Sequence, residues 1–254
     1  MKLNFYHMGA GPNLIIIHGL FGSASNFRSL AKLYSTYFTV YGLDMRNHGA
    51  SPHDNDVSFE AMASDIIEFM DAHGLEKSAL MGHSLGGKVA MKVALTCPDR
   101  ITRLIIGDIA PVDYPHHHDR IFEGLKEVSH RAVSSRKEAG QILADFVEAP
   151  EVRLFLLTNF VRQKDGAFAW RINVEGLLEG YDNIACRVNG TPYQGPSLFI
   201  RGALSDYVKE IYFPEIYRLF PKAEIVTLEG AGHWLHAEKP KEYVEITLEF
   251  LNRT

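Results

Sequence analysis

A glycine-bounded serine motif, Gly82-His83-Ser84-Leu85-Gly86, constrains the fold of this chain more than any other stretch. Residues 78–81 before it predict a short buried strand, and residues 88–95 after it predict a helix packed on a sheet. A serine on such a strand-to-helix turn holds its hydroxyl exposed, and the helix start directs free N–H groups to the place where an oxyanion would form. Because five-residue patterns of this kind also occur by chance, its meaning depends on the rest of the sequence.

Strand-like apolar runs alternate with helical runs along most of the chain. The strand-like runs cover residues 14–17, 38–43, 78–81 and 101–107, with an edge strand expected at 3–6. The helical runs cover about 25–34, with Ser25 as its cap, then 58 to the His73-Gly74 pair, and 88–95. Runs that are apolar on both faces are typical of covered parallel strands. The alternation therefore predicts an α/β fold with a mostly parallel, doubly wound sheet.

The alternation breaks after the strand that ends at Asp108. From residue 112 to about 194 the sequence favours helices alone, near 119–129, 135–147, 151–160 and 174–180. Strands resume at 196–201 and 224–228, with helices at 209–220 and 240–251. We therefore predict a core made of residues 1–111 and 195–254, carrying a helical cap, residues 112–194, inserted after the strand that ends at Asp108.

The composition gives no reason to expect a nucleic acid or a membrane as partner. Of the 254 residues, 46% are hydrophobic and 22% are charged, with a formal net charge of −5 and scattered basic residues. The longest apolar run, residues 14–17, is too short to span a bilayer, and the N-terminal stretch lacks the features of a secretory signal. Cys97 and Cys186 have neither disulfide nor metal spacing. We expect a cytoplasmic protein, a monomer or small homo-oligomer, that acts on a small molecule.

Three residues that suit nucleophilic catalysis follow three different predicted strands. Ser84, Asp108 and His233 each lie where a strand ends, and ligands of open α/β sheets bind beyond those ends. A serine needs a base to take its proton, and a neutral imidazole does this near pH 7. The imidazole in turn needs a carboxylate to fix its tautomer and to stabilise its charged form. The chain order Ser, Asp, His is that of the α/β-hydrolases.

The motifs around these residues resemble the α/β-hydrolase superfamily over the whole chain. They are His18-Gly19-Leu20-Phe21-Gly22, Asp44-Met45-Arg46-Asn47-His48-Gly49, the serine motif, and Gly230-Ala231-Gly232-His233-Trp234. The stretches that begin at Asp108 and at His233 are similar to those of YbfF-type bacterial esterases, a group related to a mitochondrial abhydrolase branch. The resemblance implies cofactor-free hydrolysis of an ester or an acyl thioester, small to medium in size or carried by coenzyme A, beneath a helical cap.

The acid partner of His233 has more than one candidate. Many family members carry it in a G-x-x-D pattern after the strand at 196–201, but here Ser205 occupies that slot and Asp206 comes one residue late. Asp108 lies at the neighbouring strand end, where the YbfF-type group has its acid. We favour Asp108, with Asp206 as the alternative and Ser205 as a helping hydrogen-bond partner of the imidazole. His236 is interpreted as a structural neighbour.

The oxyanion would be bound by backbone N–H groups. The family pattern implies the amides of Leu85, just after the serine, and of Leu20, after His18-Gly19. Phe21 replaces Leu20 if the loop is offset by one residue. The side chains of Leu20 and Leu85 fit an acyl pocket and ordinary core packing equally well.

Several polar residues have plainer interpretations than a binding site. The run His116-His117-His118-Asp119 invites a metal, but consecutive histidines do not converge on one ion, so we expect a solvated loop and no metal. Lys88 and Arg201 could attract an anion such as a coenzyme A phosphate, but local packing and pairing are favoured. Asp44 is expected to be structural, tying its loop to the turn at residues 46–49.

Two groups of rival functions stay open at this level. Hydrolases of carbon–carbon bonds and perhydrolases use the same triad, and spacing alone does not separate them from an esterase. A hydrolase fold that serves only as a binding module is a rival of another class. The intact set of Ser84, His233 and a carboxylate argues for an enzyme.

Overall fold

A computed structural model describes residues 1–131 and 133–253 of the chain. The strands are β1 Phe5–Met8, β2 Asn13–Ile17, β3 Thr39–Leu43, β4 Ser78–His83, β5 Ile101–Gly107, β6 Phe160–Arg162, β7 Phe168–Trp170, β8 Ser197–Gly202 and β9 Ala223–Leu228. The helices are α1 Arg28–Tyr34, α2 Phe59–Ala72, α3 Leu85–Thr96, α4 Asp119–His130, α5 Arg136–Leu143, α6 Pro150–Leu157, α7 Val174–Glu179, α8 Tyr181–Ala185, α9 Phe213–Leu219, α10 Leu235–Glu238 and α11 Pro240–Asn252. Short 3-10 turns occupy Ala24–Phe27, Pro98–Arg100 and Glu210–Tyr212.

Seven strands form one sheet in the order β1-β3-β2-β4-β5-β8-β9. All neighbours are parallel except β1, which pairs antiparallel with β3 at the edge. The predicted α/β-hydrolase fold class, with its mostly parallel sheet, is confirmed. The edge strand begins two residues later than predicted, and Ser25 lies inside a 3-10 turn instead of capping α1.

Alternate residues of the central strands face opposite layers of helices. Ile15 and Ile17 of β2 belong to the cluster that packs against α2, α3 and α9, whereas Leu14 and Ile16 belong to the cluster with α1 and α11. Both faces of the strand are fully buried, which explains its unbroken apolar sequence. The sheet is therefore covered on both sides, as a doubly wound sheet requires.

The crossing of β4 and α3 depends on glycine. A Cβ on Gly86 would overlap the carbonyl oxygens of Ile17 and His18, and a Cβ on Gly82 would overlap the Gly86 backbone. Only residues without a side chain let the start of α3 lie this close to β2 and β4. The spacing of the serine motif is thus set by backbone contact.

The segment between β5 and β8 contains α4 to α8 and a small hairpin. The expectation of helices alone is wrong here, because β6 and β7 pair antiparallel with Phe160 opposite Trp170. The Phe160 ring contacts the Trp170 ring at a centroid distance of 4.8 Å. Strands of three residues are too short to show an alternating pattern, so periodicity does not indicate them. The domain limits at residues 112 and 194 stay a prediction.

Candidate active site

The predicted nucleophile lies on the turn between β4 and α3. Ser84 has φ 52° and ψ −119°, a backbone conformation that non-glycine residues seldom adopt. Its amide donates a 2.9 Å hydrogen bond to the carbonyl oxygen of Gly107 on the neighbouring strand. The turn is therefore held to β5, and the half-buried serine side chain borders a cavity.

The same unusual backbone conformation recurs along one edge of the sheet. Among the described non-glycine residues, a positive φ occurs at Phe21, Asn47, Ser84 and Asp108. Each of them follows the carboxyl end of one of the parallel strands β2 to β5. Such residues cost about 1–3 kcal/mol each and persist only where the surrounding structure holds them. The strain is concentrated where the predicted site residues lie.

The structure brings Asp108 and His233 together. The Nδ1 atom of His233 lies 2.8 Å from Oδ2 of Asp108, whose side chain is completely buried. Oδ1 of Asp108 accepts a 3.0 Å hydrogen bond from the amide of Gly202 at the end of β8. Because a carboxylate only accepts, Nδ1 of His233 carries the proton and Nε2 is left as the basic nitrogen.

Asp206 does not occupy the position expected of the acid, and Ser205 helps through the carboxylate of Asp108 and not through the imidazole. The Asp206 side chain is 93% exposed and pairs with Nζ of Lys209 at 3.0 Å, whereas the imidazole is bonded to Asp108. The Ser205 hydroxyl donates to Oδ2 of Asp108. It was expected to bond the imidazole, and this detail is wrong because the carboxylate already occupies Nδ1 of His233.

The loop that carries His233 is fixed by residues that the sequence analysis did not assign. Glu238 accepts hydrogen bonds from the amides of Gly232 and Trp234, at 2.7 and 3.1 Å. Nε2 of His83 donates to the carbonyl oxygen of His233 at 2.8 Å. The sequence signal for these contacts is weak, because His83 is a variable position of the serine motif and Glu238 lies five residues beyond His233.

Aromatic rings complete the surroundings of the imidazole. The Tyr207 ring stacks on the His233 ring with a centroid distance of 4.1 Å and an interplanar angle of 25°. His236 packs on Phe27 at 4.4 Å, and burial lowers its pKa to about 3. Burial also holds the pKa of His83 well below its usual value. Both histidines are therefore neutral neighbours, and His236 has the structural position that was predicted for it.

Two neutral histidines hold the loop that contains Leu20. Nε2 of His48 accepts a 3.2 Å hydrogen bond from the amide of Phe21, while its Nδ1 donates to the Arg46 carbonyl. Nε2 of His18 accepts from the Met45 amide at 3.1 Å. Burial is the main cause that lowers the pKa of His48 to about 3, and it also lowers that of His18. Each ring is therefore neutral and keeps one acceptor nitrogen for its hydrogen bond.

These contacts distinguish the candidate oxyanion donors. The Phe21 amide, the fallback candidate, is already committed to His48. Within residues 1–131 and 133–253, the Leu20 amide has no hydrogen-bond acceptor. The Leu85 amide belongs to the first turn of α3, where a helix supplies no acceptor of its own. Asn159, a buried residue after α6, donates to the Phe21 carbonyl at 2.6 Å and fixes the loop from the other side.

Two cavities meet at Ser84. The larger has a volume of about 570 Å³ and is lined by His233 together with apolar residues that include Val152, Phe155 and Trp234. The smaller has a volume of about 40 Å³ and extends between α3, α8 and the loop after β5. His118 and Tyr207 border both of them.

The remaining polar candidates have structural contacts. The ammonium of Lys88 donates to the carbonyls of Val112, Ala185 and Cys186, so all three of its protons are used within the protein. Arg201 bonds Thr227, and Asp44 accepts from the Ala50 amide as expected. Local packing and pairing, the favoured interpretations, are therefore confirmed for these residues.

The histidine run differs in part from the expected solvated loop. His116 and His117 are exposed, but His118 is half-buried, because its Nδ1 bonds the Tyr181 hydroxyl and its ring faces the cavities. Burial lowers the pKa of His118 to about 4. In the part of the chain that the structure describes, no group of three His, Cys, Asp or Glu side chains is placed to hold a metal ion.

Comparison with known proteins identifies the family. A family model described as the alpha/beta hydrolase fold matches residues 12–240. The chain belongs to the α/β-hydrolase family. The esterase YbfF of Escherichia coli is 38% identical over 99% of this chain and 100% of its own length. The mouse sn-1-specific diacylglycerol lipase ABHD11 is 41% identical over 94% of this chain and 81% of its own.

A solved structure agrees with this assignment. A marine microorganism esterase superposes with a TM-score of 0.96 at 41% identity, covering 98% of this chain and 99% of its own. The resemblance to YbfF-type esterases that the motifs indicated is thus confirmed. In this α/β hydrolase, the helices of residues 1–131 and 133–253 include none that is long and apolar enough to cross a membrane.

Proposed function

We propose that this α/β hydrolase is a serine carboxylesterase with Ser84 as nucleophile, His233 as general base and Asp108 as the acid that orients it. The observation that carries the proposal is the pair formed by buried Asp108 and His233 beside the cavity that Ser84 borders. The chain is an enzyme of the esterase and lipase type, as its relatives at 38–41% identity are. A small-molecule ester is its substrate class.

The mechanism follows from the protonation states of the proposed triad. Nε2 of His233 takes the proton of the Ser84 hydroxyl as Oγ attacks the ester carbonyl carbon. The carbonyl oxygen becomes an oxyanion, which the amides of Leu20 and Leu85 would bind. The tetrahedral intermediate collapses, the C–O bond to the alcohol breaks, and His233 returns the proton to the leaving alcohol. Water then repeats the sequence on the acyl-enzyme and releases the carboxylic acid.

Asp108 keeps the required tautomer of the base throughout this cycle. Its negative charge stabilises the imidazolium that forms when His233 accepts the serine proton. The hydrogen bonds from Gly202 and Ser205 hold the carboxylate in position. The bond from Ser205 shares Oδ2 with His233, so the serine acts on the carboxylate and only indirectly on the imidazole.

The chemistry of the proposed triad is the same for an acyl thioester, including acyl-CoA, because only the leaving group differs. Carbon–carbon bond hydrolysis and perhydrolysis also use this set of residues, but no contact in the described site favours them over an ester. Within this proposal the acyl group is small to medium in size. The cytoplasmic location and the oligomeric state stay predictions from the sequence.

The test compares the wild-type chain with Ser84→Ala on p-nitrophenyl acetate. We expect kcat to fall by about 10⁴-fold or more, since the attacking oxygen is lost. A fluorophosphonate probe should add its mass to the peptide that contains Ser84 in the wild type alone. Equal turnover by the two proteins, with equal thermal unfolding, would contradict the proposal. If both rates equalled uncatalysed hydrolysis, the result would favour a binding module.

A further inference from the structure

The two cavities that meet at Ser84 differ more than tenfold in volume, about 570 Å³ against about 40 Å³. An ester bound at the serine has two substituents on its carbonyl carbon, the acyl chain and the alkoxy group. The oxyanion and the attacking oxygen take the other two directions of the tetrahedral intermediate. Each cavity can therefore receive one substituent, and the question is which one.

The position of His233 decides between the two assignments. In the proposed mechanism, the imidazole delivers its proton to the oxygen of the departing alcohol. The alcohol must therefore lie on the side of Ser84 where the imidazole is. His233 lines the large cavity and is absent from the residues that line the small one. The small cavity is instead bordered by Leu85, whose amide is a proposed oxyanion donor.

Part of the lining of the small cavity is tightly packed. Ile109 and Ile184 on its sides are only 4% and 7% exposed, whereas His117 on its border is exposed. Lys88 is also part of its lining and is held by three carbonyl oxygens of the chain. A volume of about 40 Å³ accommodates roughly two to three heavy atoms. A longer acyl chain exceeds this volume.

The walls of the large cavity suit an apolar group. Val152 and Phe155 of α6 are half-buried there, and the Phe155 ring lies 5.3 Å from the Trp234 ring. Ile121 of α4 and Leu156 also contribute apolar surface. Glu151 and Glu238 also border this cavity, but its lining is mainly apolar and favours a bulky hydrophobic alcohol.

We propose, resting on the serine esterase function above, that the small cavity binds the acyl group and the large cavity binds the alcohol. The preferred substrates are then esters of short carboxylic acids, of two to about four carbons, with large apolar alcohols. Selection against long acyl chains arises from the small volume of the small cavity, and selection for long alcohols arises from the apolar area that they bury in the large one.

The decisive experiment uses two esters of identical composition. Hexyl acetate and ethyl hexanoate are isomers, so they differ only in which side of the ester carries the long chain. We expect kcat/KM, measured by titration of the released acid, to be at least 10-fold higher for hexyl acetate. An equal or higher value for ethyl hexanoate would overturn the assignment.

Variants in each cavity locate the origin of the preference. Ile184→Ala enlarges the small cavity and should raise the ratio of ethyl hexanoate to hexyl acetate hydrolysis at least 10-fold, with Ile184→Val intermediate. The matched variant Phe155→Ala, in the large cavity, should lower hexyl acetate hydrolysis without improving ethyl hexanoate. If Phe155→Ala alone changed the acyl preference, the assignment would be reversed.

The two levels of the proposal fail in different ways. Absence of turnover on both isomers and on p-nitrophenyl acetate would overturn the esterase function itself, and the assignment with it. Turnover that depends on Ser84 but prefers ethyl hexanoate would leave the esterase standing and remove only the assignment. If Ile184→Ala does not fold, Ile109→Ala, which also lines the small cavity, provides the same comparison.

Discussion

At the scale of single residues, the acid of the proposed triad gives the sharpest test. Asp108→Asn keeps the shape of the side chain but lets an amide donate to Nδ1 of His233, which favours the wrong tautomer. We expect kcat on p-nitrophenyl acetate to fall by about 10⁴-fold. Asp206→Asn is the matched control, because the same change is made on an exposed side chain nearby. A larger loss in Asp206→Asn would show that the acid lies on the other loop.

A second test at this scale concerns Asn159, which positions the loop with the proposed oxyanion donor Leu20. Asn159→Leu removes the hydrogen bond to the Phe21 carbonyl and puts an apolar side chain of similar size in the same buried place. We expect kcat to fall about 10-fold or more with KM nearly unchanged, because a misplaced donor weakens binding of the transition state alone. Thr158→Val, at the exposed neighbouring residue, is the control. A change confined to KM would contradict a positioning role.

The residues also show how far the sequence could define the site. Ser84 and His233 were identified because each belongs to a local motif with a distinctive spacing. The choice between Asp108 and Asp206 depends on which strand ends adjoin, and that follows from the pairing of β5, β8 and β9. The supporting roles of His48, His83 and Glu238 depend on contacts between loops. No local sequence pattern indicates these contacts.

At the scale of secondary-structure elements, Lys88 links α3 to the segment between β5 and β8. Lys88→Met would leave three carbonyl oxygens without their donor in a buried place. We expect the free energy of unfolding to fall by about 2–3 kcal/mol, measured by guanidinium denaturation. Lys92→Met, one turn further along α3, removes a lysine whose partner Glu60 is largely exposed and should cost less than about 1 kcal/mol. Equal decreases in the free energy of unfolding of the two variants would contradict the role of Lys88 in joining α3 to the segment between β5 and β8.

Elements with strong periodicity were predicted well, and short ones were not. The bounds of β5 agree with the prediction, and α2 begins just after Ser58, whose hydroxyl accepts from the Ala61 amide as a cap. The hairpin of β6 and β7 was missed because contacts between aromatic rings stabilise it, and a run of three residues carries no period. Burial by neighbours decides such elements more than local preference.

At the scale of the whole molecule, buried neutral histidines make stability depend on pH. His236 has a pKa of about 3 in the folded chain, mainly because of burial, against about 6.5 when unfolded. Between these pH values the unfolded chain binds more protons than the folded chain. The contribution of His236 to the free energy of unfolding is therefore fully present above pH 6.5 and is lost as the pH falls toward 3. His48 contributes in the same direction, with burial and the neighbouring His18 as the main causes.

The measurement is the free energy of unfolding at pH 7 and pH 5. We expect His236→Phe, which keeps a ring against Phe27, to reduce the loss between these pH values by about 1–2 kcal/mol. His130→Gln removes an exposed histidine at the end of α4 and should leave the loss as in the wild type. An unchanged loss in His236→Phe would mean that this ring is not the neutral buried group described above.

The strained residues at the carboxyl ends of β2 to β5 have a consequence for redesign. Phe21, Asn47, Ser84 and Asp108 are kept in an unfavourable backbone conformation by the packing of the rest of the molecule. Substitutions that relax the backbone at these four residues should raise thermal stability. Because the same residues shape the proposed site, we expect each such gain in stability to lower catalytic activity. Improvements that preserve turnover should instead be sought in the helices on the two faces of the sheet, away from the tightly held loops.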